Sequence, residues 1–240
     1  MADSDKHEAG IFASPGTQIV IPAGGLKVDL DRGEMTVEVK LYYDVAAHWL
    51  QISLVRTREA QEARKAFVES GNQNYEYLGL EFNAAVSAVV AIATFFDAIY
   101  AQCKSKNPSE NYTSSQKRKP KRPAVVAEQI RRVFKIEHNR FRELRPFLIE
   151  LYELRDLAVH PSHDLEIPVM DERINRGVSP IFLKFNSKLA VCYAQQMISV
   201  LEVLMEKNGR VAESTEEWKQ YLRERYLKLI EPYTTRTELE

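Results

Sequence analysis

The chain has 240 residues, 45% hydrophobic and 28% charged, which is enough apolar material for a real core and excludes a disordered, solvent-swollen chain. Its formal net charge of −1 excludes a uniformly basic protein, so any partner of opposite charge has to be met by a local patch. Two cysteines, Cys103 and Cys192, lie far apart without metal-type spacing, which implies reduced thiols in a cytoplasmic protein and not a disulfide framework.

The opening "MADSDKHEAG" is acidic and polar, with no charged-then-apolar targeting pattern, and is expected to be disordered. Short alternating runs follow: "TQIVIP", then "LKVDL", a turn at "DRGE" and "MTVEVKLYY". Val37, Val39 and Leu41 alternate with Glu38 and Lys40, the period of a half-buried strand. With Gly33 in the turn, residues 26–43 read as a β-hairpin, so 1–43 is a tail plus a small β element.

From there the pattern is helical. Asp44 is the expected N-cap of a long helix over 45–69, broken by "SGNQNYEY". A second helix over about 78–104 is apolar nearly all round and should lie at the centre. Its stretch "AAVSAVVAIATFFDAIYA" approaches membrane length, but Asp97 and the many alanines favour burial in protein over a membrane role. Residues 105–121 are polar with two prolines and read as a loop. A third helix is expected over about 122–143, and a fourth from Pro146 to the pair His160–Pro161, with Phe147, Leu151, Leu154 and Ala158 on one stripe. A loop "EIPVMDERINRGVSP" and helices over about 186–207 and 214–229 complete the chain. The expected fold is mainly α: an antiparallel helical bundle over 44–240 with a small N-terminal β-hairpin against it.

Charge is distributed unevenly. Between Lys117 and Arg145 eleven positive residues meet three negative ones, an excess of eight, which leaves the rest of the chain near −9. Lys117, Arg118, Lys119, Lys121, Arg122, Arg131 and Arg132 are the candidate contacts to an RNA backbone, since phosphate binding draws on such a stripe. The plain alternative is a solvated helix face. "KRKPKR" also has the form of a nuclear localisation signal, a weak pattern.

The fourth helix ends in "RDLAVHP", where Arg155, Asp156 and His160 have the spacing R-D-x-x-x-H. Asp156 and His160 are four apart and share a helix face, while Arg155 sits about 140° from His160 around the axis. Arginine presents a fixed donor fork suited to phosphate, and histidine titrates near neutral pH and can move a proton. Together they suffice in principle for metal-independent RNA cleavage, histidine promoting attack by the ribose 2′-hydroxyl and arginine stabilising the transition-state charge. Asp156 would orient either partner or tune the histidine. The alternative is that Arg155 and His160 merely satisfy the last carbonyls of a helix and its dipole.

"RDLAVH", late in a helical chain, resembles the signature of the HEPN family, and "AAVSAVVAIATFFDAIYAQ" resembles that family's first core helix, with Asp97 in the place of its usual acidic residue. The resemblance covers roughly 45–210. It implies a helical bundle whose motifs face each other across a homodimer as one composite ribonuclease site. It also implies a toxin or phage-defence effector with RNA as partner, and an antitoxin or defence-system partner besides. Some members bind RNA or protein without catalysis. One branch, paired with a nucleotidyltransferase antitoxin, carries a tyrosine two residues after the histidine; Ser162 stands there in this chain.

Other sites are weaker. His160, His163 and Asp164 have metal-ligand character, but no second cluster completes a set, and neither metal nor cofactor is expected. His138 reads as a surface helix residue. Trp49, Phe95, Phe96 and Tyr100 read as core, Arg173 and Arg176 either as loop cations within reach of phosphates or as part of a solvated loop, and Leu189, Tyr193, Gln196 and Val200 as a helix contact.

Overall fold

The computed structural model describes residues 17–20, 26–29, 34–37, 39–106, 121–137, 142–160, 167–206 and 213–234. The expected N-terminal tail, Lys117, Arg118 and Lys119, His138, and the pair His163 and Asp164 lie outside them.

Four short strands, β1 (Thr17–Val20), β2 (Leu26–Asp29), β3 (Glu34–Val37) and β4 (Lys40–Tyr43), form two antiparallel pairs, β2 with β3 and β1 with β4. The expected hairpin is therefore extended by β1, and the expected single strand 35–43 is split. Val20 pairs with Lys40 and Leu26 with Val37, so six steps along one side meet three along the other. The longer interval contains Pro22, which has no N–H for a ladder, with Gly24 and Gly25 behind it.

The rest of the described chain is mainly helical. Helix α1 (Val45–Glu69) begins where Asp44 accepts from the Ala47 N–H at 3.1 Å, as expected of an N-cap. It stops at Ser70 because Gly71 (φ +67°) and Asn72 (φ +61°) turn left-handed, and their N–H groups return to Val68 and Phe67. Helix α2 (Glu76–Lys106) folds back on α1 and also packs against α3 (Arg122–Val133), α4 (Leu144–Val159) and α6 (Ser187–Met205), so the helix with the most apolar stretch is the central one. Helix α7 (Glu213–Thr234) covers α1 and α6. Phe95, Phe96, Ile92, Leu151, Met197 and Tyr226 belong to one apolar cluster drawn from α1, α2, α3, α4, α6 and α7.

Asp44 does more than cap. Wholly buried, it also accepts from Gln102 Nε2 at 3.2 Å, Tyr221 at 2.9 Å and Tyr226 at 3.2 Å, tying the start of α1 to the end of α2 and to α7.

Two segments depart from the expectation. The third helix ends at Val133 and not near residue 143. Lys135 takes φ +52°, Lys135 N–H bonds Arg132 O at 3.3 Å, and Ile136 N–H bonds Arg131 O at 3.0 Å. This is the double closure usually made with glycine, held here by burying Phe134 and Ile136. Helix α4 then starts at Leu144, two residues before Pro146.

The loop after α4 contains an antiparallel hairpin, β5 (Val169–Asp171) with β6 (Arg176–Val178), followed by a short helix α5 (Pro180–Lys184). The hairpin is fastened by charge. Arg173 grips Asp171 with Nε at 2.9 Å and NH2 at 2.6 Å, and reaches Glu81 on α2 with NH1 at 3.4 Å. Glu81 in turn accepts from Ser187 N–H at 2.9 Å and Oγ at 2.8 Å. Glu81 and Asp171 are both buried, so Arg173 is structural and not a free phosphate ligand, while Arg176 stacks over Tyr75. By length and composition α2 and α6 could each cross a bilayer; 56% and 44% of their most apolar windows are buried inside the protein.

Candidate functional site

Arg155, Asp156 and His160 occupy the last turn and a half of α4 and its C-cap. The preceding apolar stripe (Phe147, Leu151 and Leu154, all buried) presses α4 onto the core and leaves these polar residues at the rim. His160 N–H still closes the helix on Asp156 O at 2.8 Å. Its own backbone has left the helical region (φ −126°, ψ 64°), as a residue before proline must. The imidazole is exposed and makes no hydrogen bond to another described residue.

Arg155 is held at three nitrogens. Nε and NH2 donate to Asp156 Oδ1 at 3.0 and 2.7 Å, and NH1 donates to Asp97 Oδ2 at 3.4 Å. Asp156 thus bonds the arginine, its neighbour in sequence, although it shares a helix face with His160. Asp97, expected to take the acidic position at the end of the central helix, does reach the motif.

A fourth residue joins them. Arg122, at the first position of α3, donates Nε and NH2 to Asp97 Oδ1 at 3.1 and 2.7 Å. Asp97 therefore carries one arginine from α3 on one oxygen and one from α4 on the other. Each guanidinium lies over a ring: Arg122 Cζ is 4.2 Å from the Tyr100 centroid and Arg155 Cζ 4.6 Å from that of Tyr152. Tyr100, expected in the core, is only partly buried and forms the floor under Arg122. The Tyr152 hydroxyl is buried without a hydrogen bond of ordinary geometry. Burial first, and the nearby Asp97 carboxylate second, push it above the ordinary tyrosine range, so it keeps its proton.

The remaining basic residues are placed differently. Lys121 is exposed at the N-cap of α3, one residue from Arg122. Arg131 and Arg132 lie nine and ten residues further along the same helix, about 14 Å or more away by helical rise. Both are paired with Glu128, at 2.8 and 2.5 Å. Their hydrogen bonds, Arg131's foremost, hold the Glu128 carboxyl down at about 2. The stripe is thus not one uniform surface: Arg122 belongs to the motif, whereas Arg131 and Arg132 share a carboxylate at the far end of α3.

Tyr152 stands outside the R-D-x-x-x-H pattern, and Tyr100 packs against the core as expected while also lying under Arg122. The available signal was spacing, since Tyr152–Arg155 and Asp97–Tyr100 are each three apart on a helix. What it lacked was the crossing of α2, α3 and α4 that brings Asp97, Arg122 and Arg155 together. Two clefts lie elsewhere: one of about 390 Å³ beside Arg142, Phe147 and Gln196, and one of about 480 Å³ between α1 and α2 beside Glu62 and Tyr77. Neither is lined by a motif residue. Among the described residues no three histidine, cysteine or acidic side chains gather as a metal set.

The arrangement can hold an anion by guanidinium forks and offer an exposed imidazole for proton transfer. Comparison with known proteins finds no matching family model, no matching curated protein and no matching solved structure.

Proposed function

We propose that the chain is a HEPN-type helical bundle acting as a metal-independent endoribonuclease, a cytoplasmic toxin or phage-defence effector with Arg155 and His160 as its catalytic residues. The observation that carries this reading is the meeting of Arg155 with Asp97 of the central helix beside an exposed His160 whose imidazole bonds no other described residue. In this reading the His160 imidazole removes the proton from a ribose 2′-hydroxyl. The 2′-oxygen then attacks the adjacent phosphorus, the 5′-oxygen leaves, and a 2′,3′-cyclic phosphate and a 5′-hydroxyl end result. Arg155 stabilises the charge on the non-bridging oxygens. The leaving oxygen needs a proton from a second group, and a two-fold partner would supply it from its own His160. A homodimer with the end of α4 at its interface is therefore part of the proposal.

A second reading is favoured by one observation: both carboxylates beside Arg155 already occupy its fork. On that reading the chain is a catalytically silent module that binds RNA or a protein partner.

Purified protein is incubated with total cellular RNA in EDTA, and the ends are sequenced. Cyclic-phosphate ends with wild type, lost by at least about 10²-fold with His160→Ala and not recovered by Arg155→Lys, are the expected outcome. Intact RNA with wild type, or cleavage that requires a divalent metal, would overturn it.

A further inference from the structure

Arg122 and Tyr152 are outside the R-x4-H pattern, yet both belong to the space around Asp97. Two guanidinium groups from different helices flank one carboxylate, Arg122 at 2.7 Å and Arg155 at 3.4 Å. Two like charges so close are tolerated because the anion sits between them. Each cation lies over an aromatic ring, which narrows its freedom. Tyr152 is 2% exposed, and its hydroxyl faces the Asp97 carboxylate without making a hydrogen bond of ordinary geometry to a described residue. A buried donor so poorly satisfied can turn to a better acceptor when one arrives.

The charges also show what would have to move. Arg122 and Arg155 are balanced by Asp97 and Asp156, so an arriving anion needs one carboxylate to withdraw. Asp156 is the one able to do so: its side chain is 58% exposed, against 30% for Asp97. Its departure frees Nε and NH2 of Arg155, the pair that fits two phosphate oxygens.

We infer that Arg122, Arg155 and the Tyr152 hydroxyl form a single phosphodiester-binding site for single-stranded nucleic acid, with Asp97 as its fixed spacer and Asp156 as a displaceable competitor for the anion. The inference rests on RNA as the partner in the function proposed above, but not on cleavage. Arg122 is a binding residue, and Asp97 acts through the two arginines as a positioning residue.

The test is fluorescence anisotropy of a labelled single-stranded oligodeoxynucleotide, which has no 2′-hydroxyl and cannot be cut by the proposed chemistry. Arg122→Gln and Arg155→Gln should each weaken binding about tenfold and lower the slope of log K against log salt by about 0.7. Tyr152→Phe should weaken it about fivefold and leave the slope unchanged. Arg122→Lys, which keeps a cation beside Asp97, should retain the slope and lose affinity. Asp156→Asn should bind more tightly than wild type, a change that loss of a structural contact does not produce. Inorganic phosphate that displaces the oligonucleotide only at high millimolar levels supports a polymer ligand; displacement at micromolar levels overturns it in favour of a free phosphate.

Wild-type affinity and slope in Arg122→Gln, weaker binding in Asp156→Asn, or no binding by wild type would each overturn the site. Binding with the expected shifts but without RNA cleavage would retain this site and discard the ribonuclease. Cleavage with Arg122→Gln unchanged in binding would do the reverse.

Discussion

The Arg173 clamp permits a stability prediction that separates its two carboxylate partners. Replacing Arg173 with Met keeps much of the stem volume and removes every side-chain donor. Asp171, 2% exposed, then loses both Nε contacts and the 2.6 Å NH2 contact, keeping only the Arg173 backbone N–H at 3.0 Å. Glu81, equally buried, loses only a 3.4 Å contact and keeps two short bonds from Ser187. Removing one member of a buried ion pair costs about 3–5 kcal/mol, because the other charge stays desolvated. Most of that should fall on Asp171. For a chain of this size the loss corresponds to a fall in Tm of roughly 6–20 °C, measured by circular dichroism or calorimetry.

Arg173 holds the Asp171 carboxyl below its ordinary range, first by hydrogen bonding, so in the wild type this contribution is present above the unfolded pKa and lost as pH falls through the folded one. In the variant the deficit should instead shrink as pH falls towards 4, because a proton neutralises the stranded carboxylate. Adding Asp171→Asn to the Arg173→Met background should recover more stability than adding Glu81→Gln. A Tm within 2 °C of wild type, or larger recovery from Glu81→Gln, would refute the reasoning.

Asp44→Ala removes an N-cap and three side-chain bonds at once, and should lower stability by about 3 kcal/mol or more, against about 1 kcal/mol for Tyr226→Phe, in the same melts. Equal losses would show that Asp44 contributes no more than its single bond from Tyr226. Glu128 should titrate by NMR near 2 while paired with Arg131 and Arg132. Its stabilising contribution is then fully present above about 4.5 and lost as pH falls towards about 2, and Glu128→Gln should flatten that part of the stability curve. Lys219 is wholly buried, and its ammonium makes no hydrogen bond among the described residues and lies 3.9 Å from Glu216. Lys219→Met should therefore raise stability by about 1–3 kcal/mol, and a destabilised variant would show that the ammonium has a compensating partner.

Local rules were enough for what depends on near neighbours in the chain. Apolar periodicity located α1, α2, α4, α6 and α7. A carboxylate before an apolar run identified the Asp44 cap, and the His160–Pro161 pair marked where α4 stops. The R-D-x-x-x-H residues, and Asp97 as an acidic group on the central helix, were equally visible because each is a pattern within one element. Lys135 was not: a left-handed helix stop without glycine is paid for by the burial of Phe134 and Ile136, which only packing supplies. The β5–β6 hairpin is not legible in the sequence because its strands are short and its anchor is Glu81, some ninety residues earlier. The pairing of the site's second arginine with Asp97 is hidden for the same reason. Arg122 looks like one more cation in a basic run until α3 crosses α2 and sets it on Asp97, opposite Arg155. Which residues carry the chemistry follows from side-chain type and spacing, but which carboxylate neutralises which cation follows from helix crossings, whose contacts span tens of residues.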